Sequence, residues 1–364
     1  MDNETLLSLL KSNRDEILYK SREIKQKKYG NKVTFSRNFF VPVTHQCRNR
    51  CGYCGFVSDD VNSWITPSKY KTLLEKAKGA KCKEVLLTMG EKPEEKHQSA
   101  RDFLAKYGFE RTVDYVSYFC DIALEKHLLP HSNLGVLSLE DLRILKETNA
   151  SLGLMLESIS SRLMEKGKPH HLSPGKEPSL RLDTLSFAGQ LKVPFTTGIL
   201  IGIGETWEER LDSLQAINEI HKKYKVIQEV IIQNFNPQIN TPMFDYPSPT
   251  EEDVFLALSS ARLILHPSIS LQIPPNLNRK RIIEALNFGA NDLGGISPVS
   301  IDYINPNMDW QGEEELQQLL ETEGYELCER LPVYPQYEKH LNSRIKKIIE
   351  EYRSNEEALY STNR

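Results

Sequence analysis

The sequence predicts an α/β fold, a (β/α)8 TIM barrel with additional helices flanking it at both ends. Short segments rich in β-branched and aromatic residues alternate with helical segments through most of the 364 residues. Strands that alternate with helices pair in parallel through right-handed crossovers, and eight such repeats close into a barrel. A chain of this length can form one large barrel with a sizeable core.

The elements follow in order from local signals. The predicted strands are 39–43, 85–89, 128–134, 152–156, 195–201, 230–235, 269–273 and 293–297. The predicted helices between them are 66–80, 113–126, 138–148, 180–191, 206–224, 251–265 and 279–286. Thr66 precedes a proline, as an N-cap often does, and the runs beginning at Ser138 and Thr206 resemble capping boxes. We expect a helical extension over 1–30, the barrel over 31–311 and a second helical extension over 312–364.

The composition restricts the possible partners. Lys and Arg number 46 against 50 Asp and Glu, giving a net charge of −4 that argues against nucleic acid binding. No segment approaches the ~20 apolar residues that cross a bilayer, so no membrane association is expected. The N-terminus lacks the layout of a secretory signal, and six cysteines in so long a chain do not make a disulfide framework. We therefore expect a cytoplasmic protein.

Three cysteines lie close together in the run C-x3-C-x2-C, at Cys47, Cys51 and Cys54. A [4Fe–4S] cluster usually takes four thiolates, so three would leave one iron open to another ligand. The loop follows the first predicted strand and therefore lies on the rim where barrel enzymes carry their chemistry. The alternative is a non-catalytic protein with a structural zinc site, whose fourth ligand would be His45 or Cys82.

This motif, with the aromatic Tyr53 before its last cysteine, resembles the radical S-adenosylmethionine (SAM) superfamily. The resemblance implies that Cys47, Cys51 and Cys54 hold a single [4Fe–4S] cluster whose open iron chelates SAM. It further implies that an electron from the reduced cluster splits SAM into methionine and a 5′-deoxyadenosyl radical, which removes a hydrogen atom from the substrate. The remaining three cysteines are then free thiols.

The same resemblance implies a set of SAM contacts. Gly90 and Glu91 follow the second strand, where the superfamily has a Gly-Gly-Glu-like stretch, although Thr88 and Met89 depart from the usual pair. Glu157 ends the fourth strand. The fifth strand resembles a G-x-I-x-G element that flanks adenine; by itself it also fits a tightly packed strand. The implied cofactor-binding residues are Tyr53, Gly90, Glu91, Glu157, Gly198, Ile199 and Gly202.

A narrower resemblance rests on residues 291–306, with support from 40–47 and 228–235. These segments are similar to the CofG subunit family of 7,8-didemethyl-8-hydroxy-5-deazariboflavin (FO) synthases, over about residues 33–310. The resemblance implies a lyase of deazaflavin biosynthesis that works with the CofH subunit and a low-potential electron donor. Its substrate would be the small-molecule adduct of a tyrosine-derived 4-hydroxybenzyl group with a ribitylaminouracil. The alternatives are CofH itself or a radical SAM enzyme of the aminofutalosine pathway.

Polar residues after the last strands are candidates for holding this substrate. Neutral amides suit a uracil edge, on which hydrogen-bond donors and acceptors alternate, although each could instead bond its own loop. The candidate substrate-binding residues are Gln233, Asn234, Asn236, Asn276 and Ser297. The candidate catalytic residues are His45, as a proton shuttle beside the cluster, and Asp292 and Asp302 in the last loop.

Overall fold

The computed structural model describes residues 1–362 and confirms the closed parallel barrel with flanking helices. The strands are β1 Lys32–Pro42, β2 Glu84–Thr88, β3 Leu129–Asn133, β4 Ser151–Gly153, β5 Phe195–Ile201, β6 Ile227–Asn234, β7 Ser270–Gln272, β8 Asp292–Ile296 and β9 Glu326–Arg330. Strands β1 to β8 pair in sequence order, and β1 closes the barrel by pairing with both β2 and β8.

Helices cover the outside of the barrel and also form most of its two extensions. They are α1 Asn3–Ser12, α2 Arg14–Tyr29, α3 Pro67–Gly79, α4 Gln98–Lys106, α5 Thr112–Glu125, α6 Leu139–Lys146, α7 Pro178–Leu191, α8 Trp207–Tyr224, α9 Glu251–Ile264, α10 Ile282–Asn287, α11 Glu313–Thr322 and α12 Ser343–Thr362. Thr66 caps α3, and the Ser138 and Thr206 capping boxes open α6 and α8 as expected. No helix among residues 1–362 is long and apolar enough to cross a membrane.

Two strands differ from the expectation in a way that matters for the site. Strand β1 begins at Lys32, seven residues before the predicted 39–43, and its first half pairs with β9 while its second half pairs with β2. Strand β9 lies inside the predicted C-terminal helical extension, which is therefore not purely helical. Because β9 adds to β1 below β2, it places its last residue, Arg330, at the base of the barrel.

The C-terminal extension also covers the barrel base with an apolar cluster. Val333, Tyr334 and Tyr337 pack with Leu129, the first residue of β3, and with Ala150, the residue before β4. The opposite rim, at the C-terminal ends of the strands, carries the loops after β1, β2 and β4. The barrel is thus closed below and open above, and polar side chains inside it face a cavity.

Candidate active site

A cavity of about 380 Å³ occupies the barrel interior. At the rim it is lined by Cys47, Cys51 and Cys54, and at the base by Arg330 and Pro332. Its volume lies within the range of about 300–1,000 Å³ that is typical of small-molecule sites. The predicted residues that line it are Tyr53, Gly90, Glu91, Glu157, Gln233, Asn234 and Asn236.

The cysteine loop packs tightly against the end of β2. Cys47 Sγ accepts hydrogen bonds from the backbone N–H groups of Asn49 (3.3 Å) and Glu91 (3.1 Å). A Cβ on Gly90 would lie 2.6 Å from Cys47 Cβ and would overlap the carbonyl oxygen of Gln46. Glycine is therefore needed at residue 90 to let the two loops meet, and the N–H groups aimed at sulfur suit a thiolate that ligates a cluster.

The electrostatics of the thiols suit the same use. Burial raises the pKa of Cys47, and burial together with the neighbouring Cys51 raises the pKa of Cys54 to about 12. A positive centre such as iron would favour the ionised form of these thiols. Among the described residues no group of three or more His, Cys, Asp or Glu side chains could hold a single metal ion. A cluster needs no such convergence, because each of the three thiolates would ligate a different iron.

Glu91 joins several loops at the rim. Its carboxylate accepts hydrogen bonds from Arg48 Nε (2.8 Å), Arg48 Nη2 (2.6 Å) and the N–H of Val136 (3.0 Å). It also fills the space beside Gly135 and Gly175, where any Cβ would overlap it. Glu91 thus lines the cavity as expected, but its carboxylate already has an arginine partner.

Glu157 is the centre of a buried charged cluster in the loop that follows β4. Its backbone is in the left-handed region with φ of 64°, which is strained for a residue other than glycine. Its carboxylate contacts Tyr53 Oη, Lys176 Nζ and, at 3.2 Å, His170 Nε2. Burial raises the pKa of Glu157, but Lys176 and Arg181 outweigh burial and hold it well below its ordinary value.

Sequence reasoning missed the basic side of this cluster. Lys176 and Arg181 line the cavity, and His170 packs edge-on against the ring of Tyr53 at 5.7 Å. Arg181 donates to the carbonyl of Gly175 at 2.8 Å, and the Gly175 N–H donates to Asn49 Oδ1 at 2.9 Å. No local pattern in the sequence indicates that the Ser-Pro-Gly segment at 173–175 folds back onto the cysteine loop.

The fifth strand places its predicted residues beside the cavity without lining it. Gly198 gives room to Met155 and Ile231, since a Cβ there would lie 2.8 Å from Met155 Cε. Ile199 is 1% exposed and packs in the hydrophobic core. The N–H of Gly202 donates to Glu205 at 2.8 Å. From this strand Thr196 and Leu200 face the cavity instead.

The structure contradicts the catalytic prediction for Asp292. This residue begins β8, at the end of the barrel opposite the cysteine loop, and is fully buried. Its carboxylate accepts hydrogen bonds from Arg330 (2.6 Å), Tyr334 Oη (2.7 Å) and Thr34. Asp292 does not line the cavity, and its carboxylate instead forms a buried ion pair with Arg330.

Four other predicted residues also lie behind the cavity wall. Asp302 accepts hydrogen bonds from the N–H groups of residues 304 and 305 and from Asn276 Nδ2 at 2.8 Å, so these two hold a loop together. Ser297 Oγ pairs with the Ser300 hydroxyl at 2.5 Å. His45 Nδ1 lies 2.8 Å from the carbonyl oxygen of Phe56. None of the four lines the cavity, so their catalytic and substrate-binding roles stay predictions.

Comparisons with known proteins agree with the resemblance that the cysteine motif shows. Residues 41–217 match the family model described as the Radical SAM superfamily. The chain is 48% identical over 324 residues to the curated 7,8-didemethyl-8-hydroxy-5-deazariboflavin synthase of Methanopyrus kandleri, covering 87% of this chain and 97% of that protein. The chain belongs to this radical SAM synthase family. Membership implies a [4Fe–4S] cluster and SAM.

A second member of the synthase family and two solved structures extend the comparison. The chain is 45% identical to the curated synthase of Archaeoglobus fulgidus over 322 residues, 88% of this chain and 96% of that protein. Methylornithine synthase (PylB) superposes with a TM-score of 0.69 at 21% identity, over 90% of this chain and 94% of the other. The hydrogenase maturase HydG from Carboxydothermus hydrogenoformans superposes with a TM-score of 0.70 at 17% identity, over 93% of this chain and 83% of the other. These two likenesses concern the fold alone.

Proposed function

We propose that this chain is the radical SAM carbon–nitrogen lyase that forms FO. The substrate is 5-amino-5-(4-hydroxybenzyl)-6-(D-ribitylimino)-5,6-dihydrouracil, which loses one hydrogen atom to the 5′-deoxyadenosyl radical. Cyclisation with loss of ammonia, of a proton and of one further electron, which an acceptor such as the oxidised cluster would take, then gives 7,8-didemethyl-8-hydroxy-5-deazariboflavin. The observation that carries this proposal is the 48% identity that spans 97% of a curated synthase. The cysteine loop that opens into the barrel cavity supports it.

One cluster is held by Cys47, Cys51 and Cys54 in this proposal. When bound with SAM, it supplies the 5′-deoxyadenosyl radical that removes the substrate hydrogen. The other cysteines do not line the cavity: Cys82 Sγ donates to the carbonyl oxygen of Asn38, and Cys120 Sγ lies beside Ser132. This placement supports a single cluster.

Some polar groups of the rim are already paired with each other, and others remain available to bind SAM or the substrate. Because Arg48 already pairs with the Glu91 carboxylate, the backbone at Gly90 is the better candidate for the amino group of SAM. Tyr53 and Glu157 form the wall next to the cysteine loop, and Lys176 keeps Glu157 ionised. At the C-terminal end of β6, Gln233, Asn234 and Asn236 line the cavity and offer neutral amides to the substrate.

The proposed partners follow from the substrate. CofH supplies the adduct, and a low-potential donor supplies the electron. The test is an anaerobic assay of the reconstituted, reduced protein with SAM and the purified adduct. We expect deazaflavin fluorescence together with 5′-deoxyadenosine and ammonia. Cys51→Ala should abolish all three products and the brown colour of the cluster.

Each alternative gives a different result in the same experiment. A CofH-type enzyme would give no deazaflavin from the adduct, but would form the adduct from tyrosine and 5-amino-6-(D-ribitylamino)uracil. An aminofutalosine-pathway enzyme would accept neither substrate. A colourless protein that carries zinc without iron or sulfide would contradict the enzyme proposal altogether.

A further inference from the structure

Two adjacent glycines in β8 create a space inside the barrel that two amide side chains fill. Strand β8 lies between β7 and β1, which carry Gln272 and Asn38. A Cβ on Gly294 would lie 2.5 Å from Gln272 Cδ, and a Cβ on Gly295 would lie 2.8 Å from Asn38 Cγ. With any larger residue at these positions, the amides of the two flanking strands could not lie over β8.

Asn38 is the group in this arrangement that lacks a partner. It is 1% exposed and lines the cavity, and its Oδ1 is buried without a hydrogen bond. A buried acceptor without a partner is costly, so such groups generally await a ligand or water. Gln272 lines the same part of the cavity and adds donors from the other side of β8.

The surroundings of the two amides favour a neutral ligand. Arg330 forms an ion pair with Asp292 (2.6 Å) and also contacts Glu229 (2.8 Å). Although burial raises the pKa of Asp292, Arg330 lowers it to about 2, whereas burial raises the pKa values of Glu229 and Glu84. Arg330 thus pairs with Asp292, and burial favours the neutral forms of Glu229 and Glu84, so the base of the cavity suits a neutral ligand better than an ion.

We propose that Asn38 and Gln272, brought together over Gly294 and Gly295, bind the imide edge of the dihydrouracil ring of the substrate. An imide presents C=O, N–H and C=O in a row, and a primary amide offers a matching acceptor and donors. Asn38 Oδ1 accepts from the ring N3–H, and Gln272 donates to a neighbouring ring carbonyl. This inference rests on the proposed function, since it assigns the subsite for that substrate's ring.

The test compares three variants of the reconstituted holoenzyme in the FO assay. Asn38→Leu keeps the size of the side chain and removes the acceptor, and we expect KM for the adduct to rise about tenfold or more. Gly295→Ala should also raise KM, because its methyl group displaces the Asn38 amide. Gly312→Ala is the matched control, since no atom lies within 4 Å of a Cβ there, and should leave KM unchanged.

Two further readouts separate ring binding from general damage. Inhibition by 5-amino-6-(D-ribitylamino)uracil, which carries the same imide edge, should weaken by the same factor as KM rises. Iron content and cluster absorbance should match those of the wild type. An unchanged KM in Asn38→Leu, or loss of its cluster, would overturn the subsite while leaving the proposed function intact. A wild-type holoenzyme that makes no FO from the adduct would overturn both.

Discussion

Gly90 shows how a single residue determines whether the cysteine loop can take its place. We expect Gly90→Ala to displace the loop, because the new methyl group would overlap Gln46 and lie 2.6 Å from Cys47 Cβ. The measurement is iron per chain after anaerobic reconstitution, which should fall well below the wild-type value. Gly79→Ala, where a Cβ meets nothing within 4 Å, is the control. Equal iron content in the two variants would contradict the packing argument.

The carboxylate of Glu157 stabilises the fold through its buried cations. Glu157→Gln keeps the side-chain shape and the backbone strain but leaves Lys176 without its anion. We expect a loss of about 3 kcal/mol in the free energy of unfolding of the cluster-free chain at pH 7, measured with urea. The exposed Glu219→Gln, which removes a surface pair with Lys222, should cost less than about 1 kcal/mol.

The lowered pKa of Glu157 also predicts how the stabilisation by its carboxylate depends on pH. Because the folded-state pKa of Glu157 is held well below 4.5, its stabilisation is fully present above the unfolded pKa. It is lost as the pH falls below about 4.5 toward the lowered value. The difference between wild type and Glu157→Gln should therefore be constant from pH 7 to pH 5 and shrink below that. A difference that grows on acidification would contradict this assignment.

Sequence reasoning located the site residues that directly follow strands and missed those that reach it from loops. The cysteines, Glu91 and Glu157 were found because a strand end fixes a position on the rim. Lys176 and Arg181 arrive from a loop and from α7, whose path no local pattern encodes. The error at Asp292 has a different origin, which is a misplaced strand boundary. Predicting the eighth strand as 293–297 left Asp292 outside any strand, whereas it begins β8 at the base.

At the scale of elements, β9 is the part that the sequence did not reveal. Its sequence, Glu-Leu-Cys-Glu-Arg, has no apolar alternation, and residues 327–330 are all half-buried. It forms because β1 extends below β2 and offers a free edge. The eight barrel strands were predictable because they face a hydrophobic layer of helices, whereas β9 depends on a partner distant in sequence.

Arg330 makes β9 important for stability. We expect Arg330→Met to lower the free energy of unfolding by about 3–5 kcal/mol, because it leaves the buried Asp292 carboxylate without its cation. Arg344→Met in α12 is the matched control, since its pair with Asp121 is exposed and should contribute less than about 1 kcal/mol. Similar costs for the two variants, measured by urea unfolding, would argue against β9 as an anchor of the barrel.

At the scale of the whole molecule, the two extensions meet beneath the barrel. Lys25 of α2 is 1% exposed; its ammonium donates to the carbonyl of Gly30 at 2.7 Å and lies 4.3 Å from the ring centroid of Tyr325, just before β9. Burial, with the charge of Arg262, lowers the pKa of Lys25 to about 8. The folded protein therefore holds this proton more weakly than the unfolded chain does.

This difference gives a test of how the extensions are joined. Unfolding takes up a proton at Lys25 between pH 8 and about pH 10.4, so stability from this group rises with pH across that window. The slope is at most about 1.4 kcal/mol per pH unit. Lys25→Met should remove it, whereas Lys20→Met, an exposed ammonium on the same helix, should not. Urea unfolding from pH 8 to pH 10 decides the matter: equal slopes in wild type and Lys25→Met would mean that Lys25 is not buried between the two extensions.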